Sequence, residues 1–95
     1  MPLHAVTVTA SYVAADAPEN TIDRLRDWAA ARDGRTFTVD DSIAPVRWTV
    51  TADYQIEATR EHAAERLAVE RYANDTEAAG IGRAETVMAA TGPLT

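Results

Sequence analysis

The chain of 95 residues contains no cysteine and no lysine. Without cysteine it can form no disulfide, no thiolate nucleophile and no cysteine-ligated zinc site. Its nine basic residues are all arginines, and fifteen carboxylates bring the net charge to −6. An acidic balance argues against a nucleic-acid partner, because phosphates bind basic surfaces. The absence of lysine beside abundant alanine is typical of a GC-rich genome, so we expect a phage or actinobacterial accessory protein.

Long apolar runs are also missing from the sequence. No segment approaches the ~18 apolar residues of a membrane-spanning helix, and the first residues, MPLHAVTVTASY, lack the pattern of a signal peptide. We therefore expect no membrane partner and a cytoplasmic location. The hydrophobic share of 46% is typical of a globular protein. We predict a single domain over residues 1–95, in which 91–95 form a flexible tail.

One short motif occurs twice in the chain. Residues 6–12 read VTVTASY and residues 48–54 read WTVTADY. After a shift in register, GRTFTV at 34–39 matches GRAETV at 82–87. Because these matches occur in the same order, we predict an internal repeat with halves at about 5–39 and 46–90.

Each half has the pattern of a strand, a helix and a second strand. The two VTVTASY-like segments alternate apolar and polar residues, as strands do. The segments after them carry apolar residues at helical spacing, and GRTFTV and AETVMAA follow as short strands. A helix between two strands of one half lets them run parallel. The order βαββαβ predicts a ferredoxin-like α+β sandwich. Its four-stranded antiparallel sheet has the order 4-1-3-2 with both helices on one face, and a pseudo-twofold axis relates the halves.

The other face of the predicted sheet is rich in hydroxyl groups. We call it the Thr-rich face and define it by seven residues of the two central strands: Thr7, Thr9, Ser11, Arg47, Thr49, Thr51 and Asp53. Threonine suits a solvated strand, so the face could simply be exposed. It could also bury a contact between two copies, because it has few charges to desolvate. RNA-recognition domains carry aromatic residues at such positions, which this chain does not.

Arg71 is the second feature that we single out. The predicted apolar stripe of the second helix contains Ala63, Ala64, Leu67 and Ala68, and Arg71 lies one turn after Leu67. A guanidinium buried there needs a carboxylate partner. Arg71 could instead extend over the edge of the sheet, or contact an anion or a protein partner.

No set of residues predicts a catalytic, metal or cofactor site. His62 and Glu65 are three residues apart on one side of the second helix, but a metal site needs three or four ligands. Ser11 and Ser42 have no motif that would activate a hydroxyl. We expect no cofactor, and lean towards a protein that is not an enzyme.

We therefore predict a small acidic domain that binds proteins, self-associates as a homodimer and acts on an unknown protein partner. Two alternatives remain open. The predicted topology is similar to that of the cofactor-free, dimeric monooxygenase-like enzymes, which implies a substrate cavity bounded by Trp28, Phe37, Trp48 and Tyr54. It also resembles ACT-type regulatory domains, which implies a small ligand at a dimer seam. Both resemblances cover the inferred topology and no residue motif.

Overall fold

A computed structural model of the chain describes residues 2–92. It contains four strands, β1 (Leu3–Val13), β2 (Arg35–Asp40), β3 (Arg47–Glu57) and β4 (Thr86–Gly92). Two α-helices connect them, α1 (Thr21–Ala30) and α2 (Glu61–Ala78), and a short 3-10 turn at Ala14–Asp16 follows β1. The element order is the one predicted from the sequence.

The strands form one antiparallel sheet in the order β2-β3-β1-β4. This is the predicted order 4-1-3-2 counted from the opposite edge, so the α+β class and the strand order are confirmed. The two central strands pair along their whole length, from Leu3 opposite Glu57 to Val13 opposite Arg47. The two copies of the repeated motif are therefore neighbours at the centre of the sheet.

Both helices cover the same face of the sheet. The alternating residues of the central strands, among them Val6, Val8 and Val50, are buried in one cluster with Leu25 and Trp28 of α1. Ala64, Ala68 and Tyr72 of α2 belong to the same cluster. Period-two alternation in a strand puts every second side chain on one face, which is why the intervening Thr and Ser residues point away from the core.

The buried stripe of α2 differs from the prediction. It consists of four residues spaced four apart, Ala64, Ala68, Tyr72 and Thr76. Leu67, which we expected in this stripe, is 40% exposed. The small alanines let the N-terminal half of the helix lie close to the sheet, and Tyr72 then fills the space that opens further along. Arg71 therefore lies beside the buried stripe rather than within it.

The last strand extends further than the sequence suggested. Thr91 and Gly92, which we predicted in the flexible tail, pair with Val6 and Ala5 of β1. Residues 93–95 of that predicted tail lie outside the described residues. At the other end of the sheet, Gly34 adopts a φ of 81° immediately before β2, a conformation that favours glycine.

The position of the core predicts how two Leu→Ala substitutions differ in their effect on the free energy of unfolding. Leu25→Ala removes a fully buried side chain and should lower the free energy of unfolding by about 2–5 kcal/mol. Leu67→Ala is the matched control at a position 40% exposed on the other helix, and should cost less than about 1 kcal/mol. Urea unfolding monitored by circular dichroism measures both, and equal costs would contradict the assignment of the core.

Candidate functional site

The register of the sheet arranges the exposed side chains in rows across the four strands. Two of these rows extend over all four strands on the face that no helix covers, and we call them the central rows. One runs Thr36, Thr51, Thr9, Met88, and the other runs Thr38, Thr49, Ser11, Thr86. Seven of these eight side chains are threonines or serines on adjacent strands that lie ~4.8 Å apart, and none of the eight carries a charge.

All seven residues of the Thr-rich face lie on this side of the sheet. Thr7, Thr9 and Ser11 pair with Asp53, Thr51 and Thr49, in that order. Arg47 is the first residue of β3 and lies on one side of the central rows, and Asp53, near the middle of β3, lies on the other side. The structure thus brings together the residues that alternation assigned to one face. That the Thr-rich face is an interaction surface remains a prediction.

Several polar groups of the Thr-rich face already have partners within the chain. The Thr7 hydroxyl donates to Asp53 Oδ1 at 2.7 Å, and the hydroxyls of Thr36 and Thr51 bond to each other across the strands. Arg47 forms an ion pair with Glu85. A polar group that keeps a partner costs less to remove from water than a free one. These contacts therefore lower the cost of covering the face.

Met88 is the member of the central rows that sequence reasoning missed. It is 70% exposed, and its Cα partner is Thr9 of β1. The signal was available in β4, since Val87 and Ala89 pair with core residues of β1 and Met88 must then point outward. An exposed, flexible thioether on the edge strand of this face is well suited to packing against another surface.

Arg71 lies on the exposed surface of α2. It lines a cleft of about 430 Å³ together with Glu57, Glu70 and Asn74. No carboxylate of residues 2–92 lies within ion-pair distance of its guanidinium. Two glutamates line the same cleft, so its charge does not favour an anion. Contact of Arg71 with an anion or a partner stays a prediction.

A second cleft lies between α2 and the segment that leads into β4. Its volume is about 540 Å³, and its lining includes Tyr12 from β1 and Tyr72 and Thr76 from α2. The hydroxyls of Tyr12 and Tyr72 are 2.6 Å apart in the interior. Burial raises the pKa of Tyr72 well above its ordinary value and also raises the pKa of Tyr12. Both phenols are therefore protonated at neutral pH.

The substrate cavity that the resemblance to monooxygenase-like enzymes implies does not coincide with the best-formed clefts of the structure. Three of the best-formed clefts of residues 2–92 are lined by other residues, and none of the three includes Trp28, Phe37, Trp48 or Tyr54. Trp28 packs edge-on against Tyr72, with ring centroids 5.4 Å apart, and the guanidinium of Arg35 lies over its ring. The indole is therefore in contact with both Tyr72 and Arg35 and is only 6% exposed.

The histidines lie on different elements. His4 Nε2 is 2.9 Å from the carbonyl oxygen of Ala58, and His62 is exposed on α2. Within residues 2–92 no three His, Asp or Glu side chains come close enough to hold a metal ion. Neither helix of the same range combines the length and the hydropathy needed to cross a membrane.

The chain has no significant similarity to a protein-family model, to a curated protein or to a solved structure. Only the geometry of its own residues therefore indicates what it does.

The buried tyrosines predict how stability depends on pH. Burial and the neighbouring Asp75 carboxylate raise the pKa of Tyr54 to about 12, whereas the unfolded chain ionises its tyrosines near pH ~10. Because the unfolded state loses these protons first, the free energy of unfolding should fall as the pH rises from about 10 to about 12. Urea midpoints measured across that range give the trend.

Tyrosinate absorbance provides a direct readout of the same effect. At pH ~11 the folded chain should contain less tyrosinate than the urea-unfolded chain, whose tyrosines ionise near pH ~10. Tyr54→Phe should flatten the pH dependence in part, because the Tyr54 hydroxyl donates to Asp75 Oδ2 at 3.2 Å in the wild type. Equal absorbance in the two states would show that the tyrosines titrate normally in the fold.

Proposed function

We propose that this chain is a small acidic assembly domain that pairs with a second copy of itself through the Thr-rich face and the central rows. The observation that carries the proposal is the absence of charge from the central rows. The chain is 25% charged, and charged residues are normally common on solvated surfaces. An uncharged patch that spans all four strands is instead typical of the buried core of an interface.

We further propose that the domain has a ferredoxin-like fold with an internal pseudo-twofold repeat. The element order βαββαβ, the sheet order and the placement of both helices on one face support this assignment. The repeat is supported by the adjacency of VTVTASY and WTVTADY, whose Thr9 and Thr51 are direct partners. An open sheet face is what this arrangement leaves available for a partner.

The size of the sheet is sufficient for a modest dimer. The strands have 11, 6, 11 and 7 residues. At ~3.3 Å per residue and ~4.8 Å between strands, their flat area is roughly 550 Å². Two such faces approach the about 1,200 Å² of the smallest stable interfaces. We therefore expect a dimer whose population depends on protein concentration.

The net charge of the chain restricts which surface two copies can share. Two chains of charge −6 repel each other, and α2 alone carries five carboxylates against two arginines, so a contact between two α2 helices would oppose association. The central rows keep charges apart because they are neutral. This distinction favours the sheet over α2 as the dimer contact.

Two opposite charges on β3 also suggest how the two copies are oriented. Arg47 and Asp53 lie on opposite sides of the central rows. If the two sheets stack with their β3 strands antiparallel and a twofold axis over the central rows, Arg47 approaches Asp53 of the partner subunit. The symmetric contact occurs twice in such a dimer. We infer this antiparallel arrangement because the parallel alternative would put like charges together.

Light scattering of a double variant tests the contact surface. The wild type should have twice the chain mass at high concentration. The double variant Thr9→Arg with Thr51→Arg should be a folded monomer, because association would bury two unpaired cations per chain. The matched control is Thr59→Arg with Ala78→Arg, which adds the same charge at exposed positions away from the sheet. A monomeric wild type at every concentration contradicts self-association, and the face is then free for a different protein.

A charge exchange tests the orientation of the two copies. Arg47→Asp or Asp53→Arg alone should weaken the dimer about tenfold or more, since each puts like charges together. The double variant should recover most of the affinity. The two positions are six residues, or ~20 Å, apart on β3, so recovery requires contact between chains. If the double variant associates as weakly as the single variants, the antiparallel arrangement is wrong. Arg66→Asp, at an exposed position on α2, is the control for added negative charge.

A further inference from the structure

The cleft beside Tyr72 has a fixed shape because the end of α2 is tightly closed. Gly80 adopts a φ of 76°, its N–H donates to the Glu77 carbonyl, and the Ile81 N–H donates to the Thr76 carbonyl. This pair of bonds is the Schellman arrangement that ends a helix. It turns the chain back so that Ile81 is buried and residues 82–84 line the rim of the cleft.

The tyrosine pair at this cleft has one hydrogen-bond donor that nothing in the described chain uses. Tyr12 and Tyr72 are 3% and 2% exposed, and their hydroxyls bond to each other. Two phenols carry two O–H donors, and a mutual hydrogen bond uses one of them. No other acceptor within residues 2–92 bonds to either hydroxyl, and the neighbouring Thr76 hydroxyl donates to the carbonyls of its own helix.

An unused donor at this position requires an acceptor. Leaving a buried O–H without a partner costs free energy, and both tyrosines line the cleft of about 540 Å³. That volume lies in the range of about 300–1,000 Å³ that small-molecule sites occupy. The acceptor can therefore come from a molecule that enters the cleft.

The rest of the lining indicates the chemistry of that molecule. Val69, Ile81, Val87 and two alanines supply apolar surface. Arg83 and Glu77 are exposed residues of the lining and carry opposite charges, so together they favour neither sign. The complement of this cleft is a neutral, largely apolar molecule with one acceptor oxygen.

We propose that the cleft between α2 and residues 81–87 is a binding site for small neutral carbonyl compounds. The carbonyl oxygen accepts the free O–H of the Tyr12–Tyr72 pair, and the apolar body of the ligand covers Val69 and Ile81. The site lies on the opposite side of the sheet from the Thr-rich face, so it does not depend on self-association.

Fluorine NMR with two matched probes tests the site. 4-Fluoroacetophenone carries a carbonyl acceptor, and 1-ethyl-4-fluorobenzene has nearly the same shape without one. The wild type should bind the ketone about threefold to tenfold more tightly, as one neutral hydrogen bond allows. The double variant Tyr12→Phe with Tyr72→Phe should bind the two probes with about equal affinity. That variant keeps the buried shape, and removing both hydroxyls together costs little stability.

A second variant identifies where the probes bind. Ala73→Phe fills the mouth of the cleft from an exposed helical position and should weaken the binding of both probes. Ala78→Phe is the control, because Ala78 is exposed about one and a half turns further along α2 and outside the cleft. It should leave the binding of both probes unchanged. Failure of both probes to bind the wild type at millimolar concentration overturns the proposal, and water is then the acceptor. The proposal is also overturned if the double Tyr→Phe variant keeps the preference for the ketone.

Discussion

The antiparallel pairing of β1 with β3 is the constraint on which the rest of the structure depends. Eleven consecutive residues of each strand are partners, and each pair fixes which side chains share a face. A slip of one residue would move every side chain of one strand to the opposite face. It would put threonines into the core and valines into water, so burial selects one register strongly.

That register has consequences on both sides of the sheet. On one side it gathers the apolar residues that the two helices cover. On the other it aligns hydroxyl side chains from all four strands and places Met88 among them. The proposed dimer contact and the proposed ligand cleft thus lie on opposite faces of the sheet, and the same strand pairing determines both. Tyr12, one step along β1 from Ser11, faces the cleft, whereas Ser11 belongs to the central rows.

The sequence predicted those features that depend on local periodicity. Alternation in 5–13 and 46–56 was enough to assign the Thr-rich face, and the element order βαββαβ predicted the strand order. It could not assign the buried stripe of α2, because Leu67 and Tyr72 compete for the sheet and only packing decides between them. The cleft was equally out of reach, since Tyr12 and Tyr72 are 60 residues apart in the chain. Met88 was within reach, because the parity of β4 follows from its neighbours.

The claim that two copies meet through their open sheets is tested most directly by a distance between them. The chain has no cysteine, so Thr51→Cys provides a unique site for a spin label near the proposed twofold axis. Thr59→Cys provides a second site two residues beyond the end of β3, eight residues from Thr51. Stacked sheets lie ~10 Å apart. Dipolar broadening of the continuous-wave electron resonance spectrum should therefore show a short distance between labels at residue 51, whereas labels at residue 59 should show a much longer one by pulsed electron resonance. A short distance at residue 59, or none at residue 51 in a protein of dimeric mass, would contradict the account.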